Sequence, residues 1–248
     1  MTETTSSGSQ FEELAYLYEQ SFEVWPYRRD VEQHSVLAAL GDVTGLAALD
    51  LGCGSGGYTR LLASCGATPV VGMDEAAGMI DYAWRREAED PCGASFVRHD
   101  AAEPMAGAFD VVLAVHLLPY AETFEALAAM CASARSALAG RGKRFVTVTI
   151  NPGFAREPGY YRRYGFDLIA PSAELHDGDP IRLHSEFSGG TIDVTPHYWS
   201  RATQERALLQ AGFRAVQWWD PVCSPTADVG HFSDYLRTPP TLVVTATA

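Results

Sequence analysis

The sequence predicts an α/β fold: a Rossmann-like, seven-stranded, mostly parallel sheet with helices on both faces, N-terminal helices and a β-hairpin lid. Three observations carry this. Short apolar runs alternate with helical stripes from Ala47 to Ile150, a rhythm that implies parallel pairing through helical crossovers. The runs are continuously apolar rather than alternating, as strands covered on both faces must be. A glycine-rich turn, Gly52-Cys53-Gly54-Ser55-Gly56-Gly57, joins the first run to the first following helix.

Each element can be justified in order. Residues 1–10 are polar and read as frayed. Phe11, Leu14, Ala15 and Tyr18 then mark a helical stripe, broken at Trp25-Pro26 and resumed from Tyr27 to Leu40. Ala47–Leu51 is the first strand. Tyr58, Leu61, Leu62 and Cys65 form the next stripe, stopped by Gly66. Pro69–Met73 is a second strand, and Ala76, Met79, Ile80, Ala83 and Trp84 a further stripe. Strands at Ala94–Arg98 and Phe109–Val115 precede a helix carrying Leu127, Met130, Cys131, Ala134 and Leu138; Arg144–Ile150 closes this part. Beyond it, Ile181–Phe187 and Thr191–Trp199 flank Ser188-Gly189-Gly190 as a hairpin. Ser200 caps a helix ending near Gly212, and Arg214–Trp219 and Thr241–Ala248 supply the last strands. The expected organisation is one domain over 1–248: a helical cap at 11–40, a core at 41–150, a lid or substrate insertion at 151–199, and a C-terminal helix with strands at 200–248.

Composition narrows the function. Eighteen Lys+Arg against 31 Asp+Glu give a net charge of −13, a field that repels nucleic acid and anionic membranes. No apolar run approaches a membrane span, and the polar, acidic start lacks a secretory pattern. Five scattered cysteines without a C-x-x-C suggest reduced thiols, hence a cytoplasmic protein with no metal. The partner expected is a small molecule, and a homodimer is compatible.

The glycine turn fits both G-x-G-x-x-G (Gly52, Gly54, Gly57) and D-x-G-x-G-x-G (Asp50, Gly52, Gly54, Gly56). The first spacing points to a dinucleotide, the second to S-adenosylmethionine. Three acids discriminate. Asp50 precedes the turn, where it would repel a pyrophosphate and attract a sulfonium-bearing amino acid. Asp74, ending the second strand with Glu75 beside it, can accept from ribose hydroxyls in either ligand. Asp100 follows the third strand, placed to accept from an adenine amino group while the Ala101 amide donates to the ring.

On these motifs the chain resembles a class I S-adenosylmethionine-dependent methyltransferase over at least residues 40–150. The resemblance implies that Asp50, Gly52, Cys53 and Gly54 hold the methionine end, Asp74 and Glu75 the ribose, and Asp100, Ala101 and Met79 the adenine. It places Val115 and His116 beside the methyl group, and Tyr18 and Arg28, with Tyr27, over the cofactor and its carboxylate. The flanks Trp25-Pro26-Tyr27-Arg28-Arg29, Asn151-Pro152, Tyr164-Gly165-Phe166 and Pro239-Pro240-Thr241 are similar to a bacterial subfamily of small-molecule methyltransferases often linked to specialised (secondary) metabolism. That subfamily has an aromatic residue where His116 stands.

The expected reaction is in-line displacement onto an O or N atom of a small organic metabolite, yielding S-adenosylhomocysteine. His116 is the candidate base, with His197 second. The arginines near 156–163, with Tyr160 and Tyr161, suggest a carboxylate clamp and aromatic walls. His176, Asp177 and Asp179 read as a solvated turn. The alternatives are an NAD(P)-dependent oxidoreductase, against which Asp50 and Asp100 count, and an S-adenosylmethionine-binding protein without transfer activity.

Overall fold

A computed structural model describes residues 7–105 and 107–248, and the side chains from residue 14 onward. The expected frayed start thus lies partly outside the described residues, and Ser7–Gln10 open a helix. The elements are α1 (Ser7–Val24), a π-helical segment (Arg28–Gln33), α2 (His34–Leu40), β1 (Ala48–Leu51), α3 (Gly57–Ser64), β2 (Val70–Asp74), α4 (Ala77–Glu89), β3 (Ala94–Arg98), β4 (Val111–Val115), α5 (Phe124–Ala137) and β5 (Arg144–Ile150). They continue with β6 (Asp167–Ile169), β7 (Arg182–Phe187), β8 (Gly190–Val194), α6 (Arg201–Gln210), β9 (Arg214–Trp219), α7 (Ser233–Arg237) and β10 (Thr241–Thr247).

The main sheet has seven strands in the order β3-β2-β1-β4-β5-β10-β9. Strands β1 to β5 pair in parallel, while β10 runs antiparallel to both neighbours. All four residues of β1 are buried, as are the first four of β4, because helices cover both faces. One face packs Leu49, Val112 and Phe145 against α5 and α6; the other packs Val111, Leu113 and Val146 against Leu40, Tyr58 and Leu62. After β1 the chain builds outward through β2 and β3, then returns to lay β4 on the other side of β1. Such a reversal opens a crevice at the carboxyl ends of the two strands.

Residues 151–199 depart from the expected lone hairpin. The hairpin gains a third strand, giving the antiparallel order β6-β7-β8. Strand β6 spans only three residues inside a Gly-, Pro- and Tyr-rich stretch, too short to show a period. The predicted strand Thr191–Trp199 stops at Val194, because Pro196 cannot donate to a ladder. This sheet does not hang free. Leu17, Trp25, Tyr27 and Val31 share a core with Phe166, Leu168, Ile192 and Tyr235, so the N-terminal helices are wedged between the small sheet and α7. Trp25 meets Phe187 edge-on at 5.2 Å, and Tyr27 meets Tyr235 at 5.5 Å. Trp84, expected on the buried stripe of α4, is half exposed and donates its indole N–H to the Phe96 carbonyl. No helix among the described residues is long and apolar enough to cross a membrane.

Candidate active site

The crevice lies where β1 and β4 part. Gly52, leaving β1, has φ +75, and a Cβ there would sit 2.9 Å from Leu117 Cδ1; glycine allows both the turn and the close approach to the segment after β4. The Gly52 and Cys53 amides donate to the Met73 carbonyl at 2.7 and 2.8 Å, tying the loop to the end of β2. There Asp74 accepts from the Gly54 amide through Oδ2 and from the Ala76 amide through Oδ1, both at 2.9 Å. Burial pushes the Asp74 carboxyl up against the pull of those two bonds.

Asp50 lies deeper, 1% exposed, accepting from Thr59 Oγ1 at 2.7 Å. Burial raises its carboxyl to about 7; the Thr59 bond opposes this and the Asp74 charge adds to it. Asp100 stays exposed at the opposite rim, accepting from the Ala102 amide.

All the residues expected at the cofactor except Tyr27 line this one cleft. Tyr18, Arg28, Asp50, Gly52, Cys53 and Gly54 line it, as do Asp74, Glu75, Met79, Asp100, Ala101 and Val115. Five acids face it (Asp50, Asp74, Glu75, Asp100 and Glu122), and Arg28 is its one permanent cation among the described residues. Space is open above Gly54, whose nearest prospective neighbour is Met79 Sδ at 4.0 Å.

At the end of β4, His116 adopts φ +59, a left-handed conformation unusual outside glycine and associated with functional sites. Its Nε2 lies 2.7 Å from Glu32 Oε2. Glu32 comes from the π-helical segment, a rare geometry that recurs at functional sites, and is 5% exposed. It also accepts from the Tyr58 hydroxyl at 2.8 Å and pairs with Arg28 at 3.4 Å. Arg28 itself lies over the Phe22 ring at 4.0 Å, donates to Ser21 Oγ, and keeps a buried Nε without a partner. Burial by itself would raise the Glu32 carboxyl; Arg28, His116 and the bonds from His116 and Tyr58 outweigh it and hold it at about 2. Glu32 is therefore an anion.

A second cavity opens on the far side of His116, lined largely by aromatic and aliphatic side chains including Trp25, Tyr27, Phe166, Leu168, Ile192 and Tyr235. Tyr18, Arg28, His116, Tyr120 and Val194 border both cavities and form the neck between them. The Tyr18 and Tyr120 hydroxyls approach to 3.1 Å across it.

Several expectations land elsewhere. Tyr27 faces the aromatic chamber rather than the acid-lined cleft. His197 borders neither cavity: its amide donates to the Pro119 carbonyl beyond the end of β8, and its Nδ1 is buried without a partner. The arginine clamp does not form. Arg162 pairs with Asp167 and Arg163 with Asp234, and Arg156 donates to the Pro152 and Ala173 carbonyls. Tyr161 is a core residue, its hydroxyl donating to the Thr238 carbonyl. Asp177 accepts from Ser200 and Thr203, anchoring the start of α6. Among the described residues no cluster of three His, Cys, Asp or Glu could hold a metal. Glu32, Tyr58 and Tyr120 were not anticipated. The spacing of Glu32 four residues after Arg28 is the one signal that pairs them in sequence.

Comparison with known proteins agrees with this geometry. Residues 48–142 match the model of a methyltransferase domain family. No curated protein matches the chain. A Mesorhizobium loti S-adenosylmethionine-dependent methyltransferase superposes with a TM-score of 0.61 at 23% identity, covering 88% of this chain and 97% of its own. The CcbJ methyltransferase of Streptomyces caelestis gives 0.62 at 20%, covering 86% and 93%. The DhpI-SAM-HEP complex gives 0.61 at 21%, covering 98% and 99%. At such identities the structures establish a shared fold, and the family model adds a likeness over part of the chain: residues 48–142 resemble a methyltransferase domain, within an α/β sheet of the kind found in S-adenosylmethionine-dependent methyltransferases.

Proposed function

We propose that this enzyme uses S-adenosylmethionine to methylate an O or N atom of a small organic metabolite. The observation that carries the reading is an acid-lined cleft opening, at His116, into an aromatic chamber. The donor set fits a cation and suits a pyrophosphate poorly: five acids face the cleft, and its one permanent cation among the described residues is already paired with Glu32. Complexes of DhpI with SAM and with SAH, on the same fold, support the choice of ligand.

When bound, the sulfonium supplies an electrophilic methyl carbon. The chain's own residues do the rest. Asp74, with Glu75 beside it, accepts from the ribose hydroxyls through lone pairs that Gly54 and Ala76 leave free. Asp100, Ala101 and Met79 receive the adenine, and Cys53 and Gly54 the methionine backbone. Asp50 would balance the ammonium, and the unpartnered Arg28 Nε would be available to the carboxylate. Val115 borders the cleft and His116 the neck, where His116 takes a proton from the acceptor and Glu32 fixes the ring. The apolar chamber excludes water from the reacting atoms. The setting is a cytoplasmic one in specialised metabolism, and His197 has no assigned part.

Isothermal titration with S-adenosylhomocysteine and with NAD⁺ tests the cofactor reading. Saturable, one-to-one binding of the former and none of the latter is expected; the reverse preference would overturn it.

A further inference from the structure

The chamber beyond His116 goes further than "small organic metabolite". We infer that its acceptor is an uncharged, flat aromatic molecule methylated on a hydroxyl, not on a carboxylate or an amine; this rests on the function proposed above.

The walls argue for shape. Trp25 and Tyr27 lie nearly parallel, 15° between planes with centroids 6.1 Å apart, and Phe166 and Tyr235 flank Tyr27 at 5.1 and 5.5 Å. Leu168, Leu183 and Ile192 on the small sheet close the remaining side. Such a lining rewards planar apolar surface and offers few polar partners.

Charge argues against an anion. Two charged side chains face the chamber, Arg28 and Glu32, beside the His116 imidazole. Arg28 is held by Glu32 at 3.4 Å and its remaining Nε is assigned above to the cofactor's carboxylate, so no cation is left over for a carboxylate, phosphate or sulfate on the acceptor. An acidic acceptor would bring a second anion beside Glu32 in a setting where Glu32 is only 5% exposed, and an unpaired buried charge is strongly penalised. The arginines that could have served an acid, at 156, 162 and 163, are engaged elsewhere.

The His116–Glu32 contact selects among neutral nucleophiles. A carboxylate only accepts hydrogen bonds, so the Glu32 anion requires the proton on His116 Nε2. In the neutral imidazole Nδ1 then carries the lone pair, and it has no hydrogen-bond partner among the described residues. A neutral amine attacks with its own lone pair and needs no base to do so; a hydroxyl gains from one. In the step this geometry serves, the acceptor oxygen bonds to the donor methyl carbon as the carbon–sulfur bond breaks. That electron pair stays on sulfur, and the hydroxyl proton passes to Nδ1. The products are a methyl ether, S-adenosylhomocysteine and an imidazolium facing Glu32.

Three naphthalenes that differ only in one group test this on the wild-type chain: 2-naphthol, 2-naphthoate and 2-naphthylamine. The protein is first titrated with S-adenosylhomocysteine; absence of binding there sinks the cofactor reading and this inference with it. Each naphthalene is then titrated calorimetrically into the loaded protein near neutral pH, and methyl transfer is followed with radiolabelled S-adenosylmethionine. We expect 2-naphthol to bind at least about tenfold more tightly than 2-naphthoate and to take up label faster than 2-naphthylamine. Normal S-adenosylhomocysteine binding with equal or tighter 2-naphthoate binding, with preferred labelling of the amine, or with no saturable 2-naphthol binding overturns the acceptor class and leaves the cofactor reading standing.

Discussion

Glu32→Gln keeps the shape of the side chain and removes its charge, leaving Arg28, 7% exposed, without its counter-ion. In the wild type the carboxyl is held at about 2, against an ordinary 4.5. A carboxylate more acidic folded than unfolded contributes stability that is fully present above about pH 4.5 and is lost as pH falls toward 2. At about 1.4 kcal/mol for each tenfold change in acidity, this corresponds to roughly 3 kcal/mol. The figure lies at the low end of the ~3–5 kcal/mol typical of removing one partner from a buried ion pair. In a chain of this length it should lower Tm by roughly 6–12 °C. Urea unfolding of both proteins at several pH values measures it. The stability gap should be about 3 kcal/mol near neutrality and should narrow below about pH 4.5, where the protonated wild-type carboxyl comes to resemble the amide. A gap under about 0.5 kcal/mol near neutrality, or one that stays constant down to about pH 3, would refute the assignment of Glu32 as a buried anion stabilised by its partners.

Other sites make separate predictions. His116→Asn, chosen because asparagine tolerates the left-handed backbone, should lower kcat by about 10²–10⁴-fold while the S-adenosylhomocysteine Kd from calorimetry stays within about twofold. Asp50 has its carboxyl raised to about 7, so it is largely protonated below that pH; a cation beside it favours the ionised form. S-adenosylmethionine should therefore bind more tightly as pH rises toward 7, by up to about tenfold per pH unit, and level off above it, with proton release below about pH 7 detectable in buffers of different ionisation heat. Asp50→Asn should abolish that component, and an unchanged pH profile would remove Asp50 from the linkage. Gly52→Ala forces a side chain into a left-handed backbone and to 2.9 Å from Leu117 Cδ1, so it should weaken S-adenosylhomocysteine binding about tenfold or more by calorimetry and lower Tm.

Much of the sheet was legible because its signals are local. Apolar runs bounded by glycine mark β1, β2 and β5 within a residue, and the acids at 50, 74 and 100 follow from their places at strand ends. Where local signals fail, the reading fails with them. β6 owes its existence to pairing with β7, and three residues carry no period. Treating His197 as a strand residue ignored Pro196, which ends the ladder two residues after Val194. The arginines at 156–163 looked free because their partners lie far along the chain, Asp234 for Arg163 and the Ala173 carbonyl for Arg156.

Glu32 is the instructive omission. A glutamate on an N-terminal helix is ordinarily a solvated charge, and near it in sequence only the four-residue spacing from Arg28 points to a partner. Its role arises from convergence: Arg28 comes from its own helical turn, Tyr58 from α3 behind the glycine loop, and His116 from the end of β4. Because Tyr18 and Arg28 face both cavities while Trp25 and Tyr27 wall the second, the segment that holds His116 through Glu32 also shapes the aromatic chamber. Residues in the 14–32 stretch therefore line both cavities of the candidate site. On the function proposed above, the acceptor is selected as much by this segment as by the loops after the β-strands, which is why the sheet alone, a fold shared with methyltransferases, leaves the acceptor open while the aromatic and charged residues at its N-terminal flank narrow it.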